Sequence, residues 1–163
     1  MSIFPTKILL ATDSSEEASL AARTAVNLAD KTNSELHVVH VEPVSLPLDP
    51  YTDVVRETYE IEENTRKMAQ RLLDEQVERI TASSGTVKQA HARLGRPDEE
   101  IILLAEEIGA GLIVMGSRGL GGMRRALMGS VSDSVVRHAH CPVLVVRKEK
   151  SVEEARPEEV GLG

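Results

Sequence analysis

Aromatic residues and cysteine are both scarce in this chain of 163 residues. Tryptophan is absent and aromatic residues make up only 2% of the sequence, so few side chains are available on which nucleic-acid bases could stack. The single cysteine, Cys141, excludes an internal disulfide and is consistent with a reducing compartment. Because Cys141 precedes Pro142 at the start of an apolar run, we interpret it as a small buried hydrophobic residue.

Excess positive charge and long apolar runs are also lacking. The formal net charge of -7 argues against a nucleic-acid-binding protein, which needs a large basic face. No uninterrupted apolar run reaches the roughly 18 residues of a membrane span, and the N-terminus has no basic segment followed by a long apolar one. We therefore expect a cytoplasmic protein that binds neither nucleic acid nor membrane.

Strand-like and helical patterns alternate along the chain. Short runs rich in apolar and β-branched residues predict strands at 7–11, 35–41, 86–94, 112–115 and 143–146. The segments between them carry apolar residues at helical spacing, so the order βαβαβαβαβ predicts one α/β domain with a parallel sheet. This domain is expected to span residues 1–147. The charged and weakly patterned residues 148–163 are expected to form a disordered tail.

Local signals predict how several elements begin. Ser14 is the predicted N-cap of the first helix, with Glu17 three residues later completing a capping box. The second helix is predicted over residues 53–83. Pro97 is placed in the first turn of the third helix, where its missing NH costs nothing. The polar residues within 86–94 indicate an edge strand with one wet face.

The glycines that follow the fourth predicted strand are the strongest functional signal. Four of them lie within seven positions: Gly116, Gly119, Gly121 and Gly122. Glycines let the backbone approach a ligand closely, and Gly129 with Ser130 opens a predicted helix whose first amides are able to bind an anion such as phosphate. Glycines after a strand also commonly serve only a tight turn, so the residues alone leave both interpretations open.

The spacing of these glycines carries a family resemblance. Gly-x2-Gly-x9-Gly-Ser at 116–130 resembles the nucleotide-binding signature of the ATP-binding branch of the universal stress protein family. It is neither a Walker A loop, since no Gly-Lys-Ser/Thr follows, nor a Gly-x-Gly-x-x-Gly dinucleotide fingerprint. The resemblance extends from about residue 4 to residue 147 through these further matches: Asp13 after the first strand, His40 and Val41 at the end of the second, Gly95, Arg96 and Pro97 after the third, and 142–146.

The resemblance implies a fold and a place for a ligand. The fold is a doubly wound sandwich of the adenine nucleotide alpha hydrolase-like kind, with a five-stranded parallel sheet in the order 3-2-1-4-5. In that order a switch point lies between strands one and four, and ligands of open sheets bind outside the carboxyl ends of the strands at such a point. Asp13 and the glycine loop are then expected to face each other across one crevice.

The resemblance also implies roles for individual residues in a site for ATP with Mg²⁺. Adenine and ribose would lie among Ala11, Thr12, Asp13 and Val41, with the backbone of Val41 at the adenine edge. The phosphates would lie among Gly116, Arg118, Gly119, Gly129, Ser130, Val131 and Ser132. Met115 is interpreted as a core residue and a wall of this site.

Several of these residues have a second interpretation from their chemistry. Asp13 would accept from ribose hydroxyls, bind a bridging Mg²⁺ ion, or simply cap the first helix. Ser130 and Ser132 would donate to phosphate oxygens or cap helix amides. Arg118 is either a phosphate clamp or a solvated loop residue, and the other arginines of the segment, Arg124 and Arg125, are expected to be solvated.

The sequence favours a nucleotide-dependent regulatory or stress-response protein over an enzyme. We find no combination of nucleophile, base and orienting group, and no group to orient an attacking water, so ATP hydrolysis is expected to be slow at most. The alternatives are an ATP-using enzyme, such as a phosphotransferase or ATPase, and a nucleotide-free interaction module. The resemblance further implies a homodimer formed by antiparallel pairing of the strand from Val143 to Val146.

Overall fold

Strands and helices alternate in the computed structural model, which describes residues 2–45, 54–118 and 128–148. The elements are β1 (Lys7–Thr12), α1 (Glu16–Thr32), β2 (Glu35–Glu42), α2 (Val54–Ala82), β3 (Gln89–Leu94), α3 (Pro97–Ile108), β4 (Leu112–Gly116), α4 (Ser130–His138) and β5 (Val143–Val146). Of the predicted tail, only Lys148 falls within the described residues.

The strands form one parallel sheet in the order β3-β2-β1-β4-β5. This confirms the predicted fold class and strand order. The central position of β1 follows from its sequence, because Ile8, Leu9 and Leu10 are completely buried and only a strand covered on both faces can bury consecutive apolar residues. The polar strand β3 lies at one edge, as predicted, and β5 lies at the other.

Helices cover both faces of the sheet, because alternate side chains of each strand point to opposite sides. One core lies between the sheet and the helices α1 and α2, and it includes Leu10, Ala21, Ala25, Val38, Leu73 and Val114. The other lies between the sheet and the helices α3 and α4, and it includes Leu9, Val39, Leu104, Ala105, Ile113 and Val135. Cys141 packs at the margin of this second core and is partly rather than fully buried.

The start of α1 differs from the prediction. Ser15, not Ser14, is the N-cap, and its hydroxyl oxygen accepts the NH of Ala18 at 3.1 Å. Ser14 instead adopts a left-handed conformation with φ of 68°, while Asp13 Oδ1 accepts the NH of Ser15 at 3.0 Å. The predicted capping box is therefore wrong. Glu17 turns inward and is buried.

Other boundaries agree more closely with the sequence. Pro97 occupies the first turn of α3, as predicted, and α2 begins and ends within a residue of its predicted limits. The strand β3 begins at Gln89, three residues later than predicted. No helix within the described residues is both long and apolar enough to cross a bilayer.

The packing of α2 predicts a strong difference between two of its residues. Leu73 is completely buried in the core that α2 shares with the sheet, whereas Met68 is 46% exposed. We expect Leu73→Ala to lower the free energy of unfolding by about 2–5 kcal/mol, because it leaves a cavity, and Met68→Ala to lower it by less than about 1 kcal/mol. Urea denaturation measures both, and equal losses would contradict the orientation of α2.

Candidate functional site

A crevice opens at the carboxyl ends of β1 and β4, the point at which the strand order reverses. Its volume is about 420 Å³. Eleven of the predicted site residues line it: Ala11, Thr12, Asp13, Val41, Met115, Gly116, Arg118, Gly129, Ser130, Val131 and Ser132. The remaining one, Gly119, lies outside the described residues together with Gly121, Gly122, Arg124 and Arg125. The structure therefore brings together every predicted site residue that it describes.

One end of the crevice is bordered by the ends of β1 and β2. His40 joins these strands, with Nδ1 lying 3.1 Å from the carbonyl oxygen of Thr12 and Nε2 lying 2.9 Å from Glu42 Oε2. The imidazole is almost fully buried, so it acts as a brace between the two strand ends. The resemblance had marked His40 as part of a pattern but assigned it no role. Apolar side chains of Leu72 and Ile101 complete this end.

The opposite end of the crevice contains the first turn of α4. Gly129 is its N-cap and provides no side-chain acceptor, and the first bond of the helix runs from the NH of Asp133 to the Gly129 carbonyl at 3.0 Å. The amides of Ser130, Val131 and Ser132 precede that bond, so the helix itself supplies them with no acceptor. Such a turn carries a partial positive charge and is suited to an anion.

Ser117 ties the two ends of segment 117–129 together. Its NH donates to the carbonyl of Val146 at 2.9 Å, and its own carbonyl accepts both the NH of Gly129 and the hydroxyl of Ser132 at 2.6 Å. The Ser117 side chain is also buried, so all its polar groups serve the fold. Two groups predicted to meet phosphate, the Gly129 amide and the Ser132 hydroxyl, are thus used to close this segment.

Residue 116 must be a glycine because the backbone packs closely against the first turn of α1 at this position. A Cβ atom built on Gly116 would lie 3.0 Å from the backbone carbon and Cβ of Glu17 and 3.2 Å from the nitrogen of Ala18. The close approach that this glycine permits is therefore that of β4 to the first turn of α1. The sequence had suggested instead that it lets the backbone approach a ligand.

Glu17 is a site residue that the sequence analysis missed. Its Oε2 accepts the hydroxyl of Ser117 and, at 2.8 Å, the NH of Arg118. Its Oε1 accepts hydrogen bonds from Nε and Nη2 of Arg118 at 3.3 and 3.2 Å. The sequence did contain a signal for the burial of Glu17. Glu17 precedes Ala21 and Ala25 by four and eight residues, so it lies on the same buried side of α1.

The Glu17 carboxyl is ionised despite its burial. Burial favours the protonated form, but the hydrogen bonds from Ser117 and Arg118 and the charge of Arg118 outweigh it, so the pKa of Glu17 lies below its ordinary value of 4.5. Arg118, the predicted phosphate clamp, is correspondingly ion-paired, although its side chain remains 33% exposed and lines the crevice.

The comparisons with known proteins decide the family. Residues 5–147 match the family described as Universal stress protein family. The chain belongs to the universal stress protein family. A universal stress protein of Methanocaldococcus jannaschii is 36% identical over 146 residues, which cover 88% of this chain and 83% of that protein. The resemblance read from the glycine spacing is thereby confirmed.

Solved structures of other universal stress proteins share the fold. One from Lactobacillus plantarum is 29% identical with a TM-score of 0.74, covering 88% of this chain and 99% of that one. A universal stress protein in complex with cAMP is 26% identical with a TM-score of 0.65, covering 91% of this chain and 100% of that one. The doubly wound architecture of this universal stress protein is therefore that of its relatives.

The lowered pKa of Glu17 predicts a specific dependence of stability on pH. A carboxyl whose pKa is lower in the folded state adds stability above the unfolded-state value, about 4.5, and loses it as the pH falls through the folded-state value. We expect the difference in unfolding free energy between the wild type and Glu17→Gln to shrink as the pH falls from above 4.5 to below it. The exposed neighbour Glu16, tested as Glu16→Gln, should show a much smaller trend. Parallel curves for the wild type and Glu17→Gln would contradict the lowered pKa of Glu17 in the folded protein.

Proposed function

We propose that this universal stress protein binds an adenine nucleotide, ATP in particular, and acts as a nucleotide-dependent regulatory protein in stress responses. The observation that carries the proposal is the meeting, in one crevice, of the first turn of α4 with Asp13 at the end of β1. This is the place where doubly wound sheets bind their ligands, and it joins an anion-binding end to an end suited to a nucleoside.

The nucleoside would occupy the end of the crevice bordered by β1 and β2. Ala11, Val41 and Met115 are buried residues whose edges line this space, and Leu72 and Ile101 also line the crevice. Apolar walls of this kind accept the faces of a purine ring, while the backbone of Val41 would meet its polar edge. Asp13 would accept from the ribose hydroxyls.

The phosphates would lie at the first turn of α4. The amides of Ser130, Val131 and Ser132, together with the Ser130 hydroxyl and the guanidinium of Arg118, offer donors of the right kind. Each hydrogen bond to a charged oxygen contributes roughly 1.5–3 kcal/mol, so three or four of them support a useful affinity. Asp13 would hold the Mg²⁺ ion that accompanies ATP, and the charge of this ion would offset the repulsion between the carboxylate and the phosphates.

The chemistry of a solved relative supports an adenine nucleotide. The universal stress protein in complex with cAMP has a ligand that combines an adenine, a ribose and one phosphate. The crevice of the present protein contains apolar walls, the carboxylate of Asp13 and the first turn of α4, which are groups suited to these three parts. The proposal extends that likeness to ATP.

A binding role fits the crevice better than rapid catalysis. His40, the histidine among the described lining residues, is braced by Thr12 and Glu42 rather than directed at a water. Phosphoryl transfer to water at a useful rate requires a group that orients the attacking molecule. We therefore infer that any ATP hydrolysis by this protein is slow.

The position of Ser130 gives a sharp test of the phosphate end. Ser130 is exposed at the first position of α4, where an acidic residue favours the helix by about 0.3–1 kcal/mol through the helix dipole. We expect Ser130→Asp to keep or increase thermal stability while weakening ATP binding at least about tenfold, because its carboxylate repels the phosphates, which corresponds to about 1.4 kcal/mol.

Calorimetric titration with ATP, ADP and AMP, each with and without Mg²⁺, measures this effect. Ser130→Ala is the matched control, since it keeps every backbone amide, loses only the hydroxyl donor and adds no charge, so it should weaken ATP binding clearly less than Ser130→Asp does. Equal affinity of Ser130→Asp and Ser130→Ala for ATP would place the phosphates elsewhere. Absence of binding by the wild type at millimolar nucleotide would overturn the proposed function.

The assembly we infer is a homodimer through β5. The NH groups of Ile113 and Ser117 donate to the carbonyls of Pro142 and Val146, so residues alternating with these along β5 turn their backbone groups away from β4. Val143 and Val145 therefore carry the donors and acceptors of the open sheet edge. A second copy pairing antiparallel across a two-fold axis would satisfy them.

Sedimentation at micromolar concentration tests this assembly. We expect the wild type and Val145→Thr, which keeps the backbone NH, to sediment as dimers. Val145→Pro removes an outward-facing donor without touching the ladder to β4, and we expect it to sediment as a monomer. A wild type that remains monomeric would contradict the inferred dimer.

A further inference from the structure

The carboxylate of Glu17 lies directly behind the residues that form the phosphate end of the crevice. It accepts hydrogen bonds from the hydroxyl of Ser117, from the NH of Arg118 and from the guanidinium of Arg118. Glu17 does not itself line the crevice, whereas its helix neighbours Ser15 and Ala18 do. Glu17 therefore acts on a ligand through the residues it holds or through its charge, and not by direct contact.

Glu17 is unlike the other acidic residue in the first turn of α1. Glu16 is exposed, with 72% of its side chain accessible, and pairs with Lys148 at the surface. Its charge suffices to complement the helix dipole. The Glu17 side chain is only 10% accessible, and burying an ionised carboxylate is costly unless several donors compensate it. These donors all come from the two residues that follow β4.

The contact orders a long side chain before a ligand arrives. A single oxygen of Glu17, Oε1, accepts hydrogen bonds from both Nε and Nη2 of the Arg118 guanidinium. Two of the five guanidinium donors are used in this way. Because an arginine has many rotamers, immobilising it on ligand binding normally costs affinity, and a side chain already held avoids that cost.

The charge of the pair also matters for an incoming phosphate. Arg118 neutralises Glu17 at hydrogen-bond distance, so the carboxylate presents little negative potential to the crevice. Preorganisation of Arg118 and of the Ser117 anchor is then the larger effect of Glu17.

We propose that Glu17 is a positioning residue for phosphate recognition, which holds Ser117 and Arg118 in the arrangement that receives the nucleotide's phosphate. This inference rests on the proposed function, because it assumes that the crevice binds an adenine nucleotide. It states specifically that Glu17 strengthens binding of the ligand's phosphate and does not change binding of the nucleoside part.

The test compares ligands with and without a phosphate. Calorimetry measures the Kd of adenosine and of AMP for the wild type, Glu17→Gln and the matched control Glu16→Gln, after circular dichroism has verified that each is folded. We expect Glu17→Gln to raise the Kd of AMP roughly three- to tenfold and to leave that of adenosine within about twofold. Glu16→Gln, which makes the same charge change one residue away, should match the wild type for both.

A double-mutant cycle determines whether Glu17 acts through Arg118. In an Arg118→Gln background, we expect Glu17→Gln to change the Kd of AMP by less than about twofold, because the side chain that Glu17 positions is already missing. If Glu17→Gln does not fold, Ser117→Ala replaces it. This variant removes one anchor of the carboxylate without changing charge, and it should raise the ratio of the AMP to the adenosine Kd in the same direction.

The outcomes separate this inference from the proposed function. Unchanged or tighter AMP binding by Glu17→Gln, or equal weakening of AMP and adenosine, overturns the positioning role while the nucleotide site stands. An effect of Glu17→Gln that persists in full in the Arg118→Gln background also overturns it. A wild type that binds neither adenosine nor AMP overturns both.

Discussion

The close contact between the first turn of α1 and the end of β4 is the constraint on which the crevice depends. Gly116 can approach Glu17 and Ala18 only because it has no side chain. Directly after this contact, the carboxylate of Glu17 accepts hydrogen bonds from the hydroxyl of Ser117 and from the amide and guanidinium of Arg118. The chain leaves β4 in a direction set by α1, and the two walls of the crevice are held together at that point.

A second consequence concerns how polar groups are divided between folding and recognition. Ser117, Ser132 and the amide of Gly129 bond to one another, which places the first turn of α4 beside the end of β4. Among the described residues, the hydrogen-bond donors left toward this end of the crevice include the backbone NH groups at the start of α4 and the side chain of Arg118.

Much of the fold could be read from the residues because every strand except the polar β3 is a run of mainly apolar residues. The runs that became β1, β4 and β5 were located within a residue of their observed limits, since consecutive apolar residues between helical segments have few other uses. The start of α1 could not be resolved in the same way. Ser14 and Ser15 are chemically identical cap candidates, and the choice follows from the turn in which Asp13 accepts the NH of Ser15.

By itself, the sequence determined the alternation of strands and helices, because periodicity is a local property of the chain. Its glycine spacing carried the family resemblance, and that resemblance implied the set of residues at one end of the sheet. Only the tertiary structure decided what each of those residues does there. Glu17 and Ser117 are 100 residues apart, and nothing in the chain near either one indicates that they meet. Which distant residues contact each other depends on how the helices pack against the sheet. That packing brings Gly116 against α1, the Ser132 hydroxyl to the Ser117 carbonyl and Arg118 to Glu17.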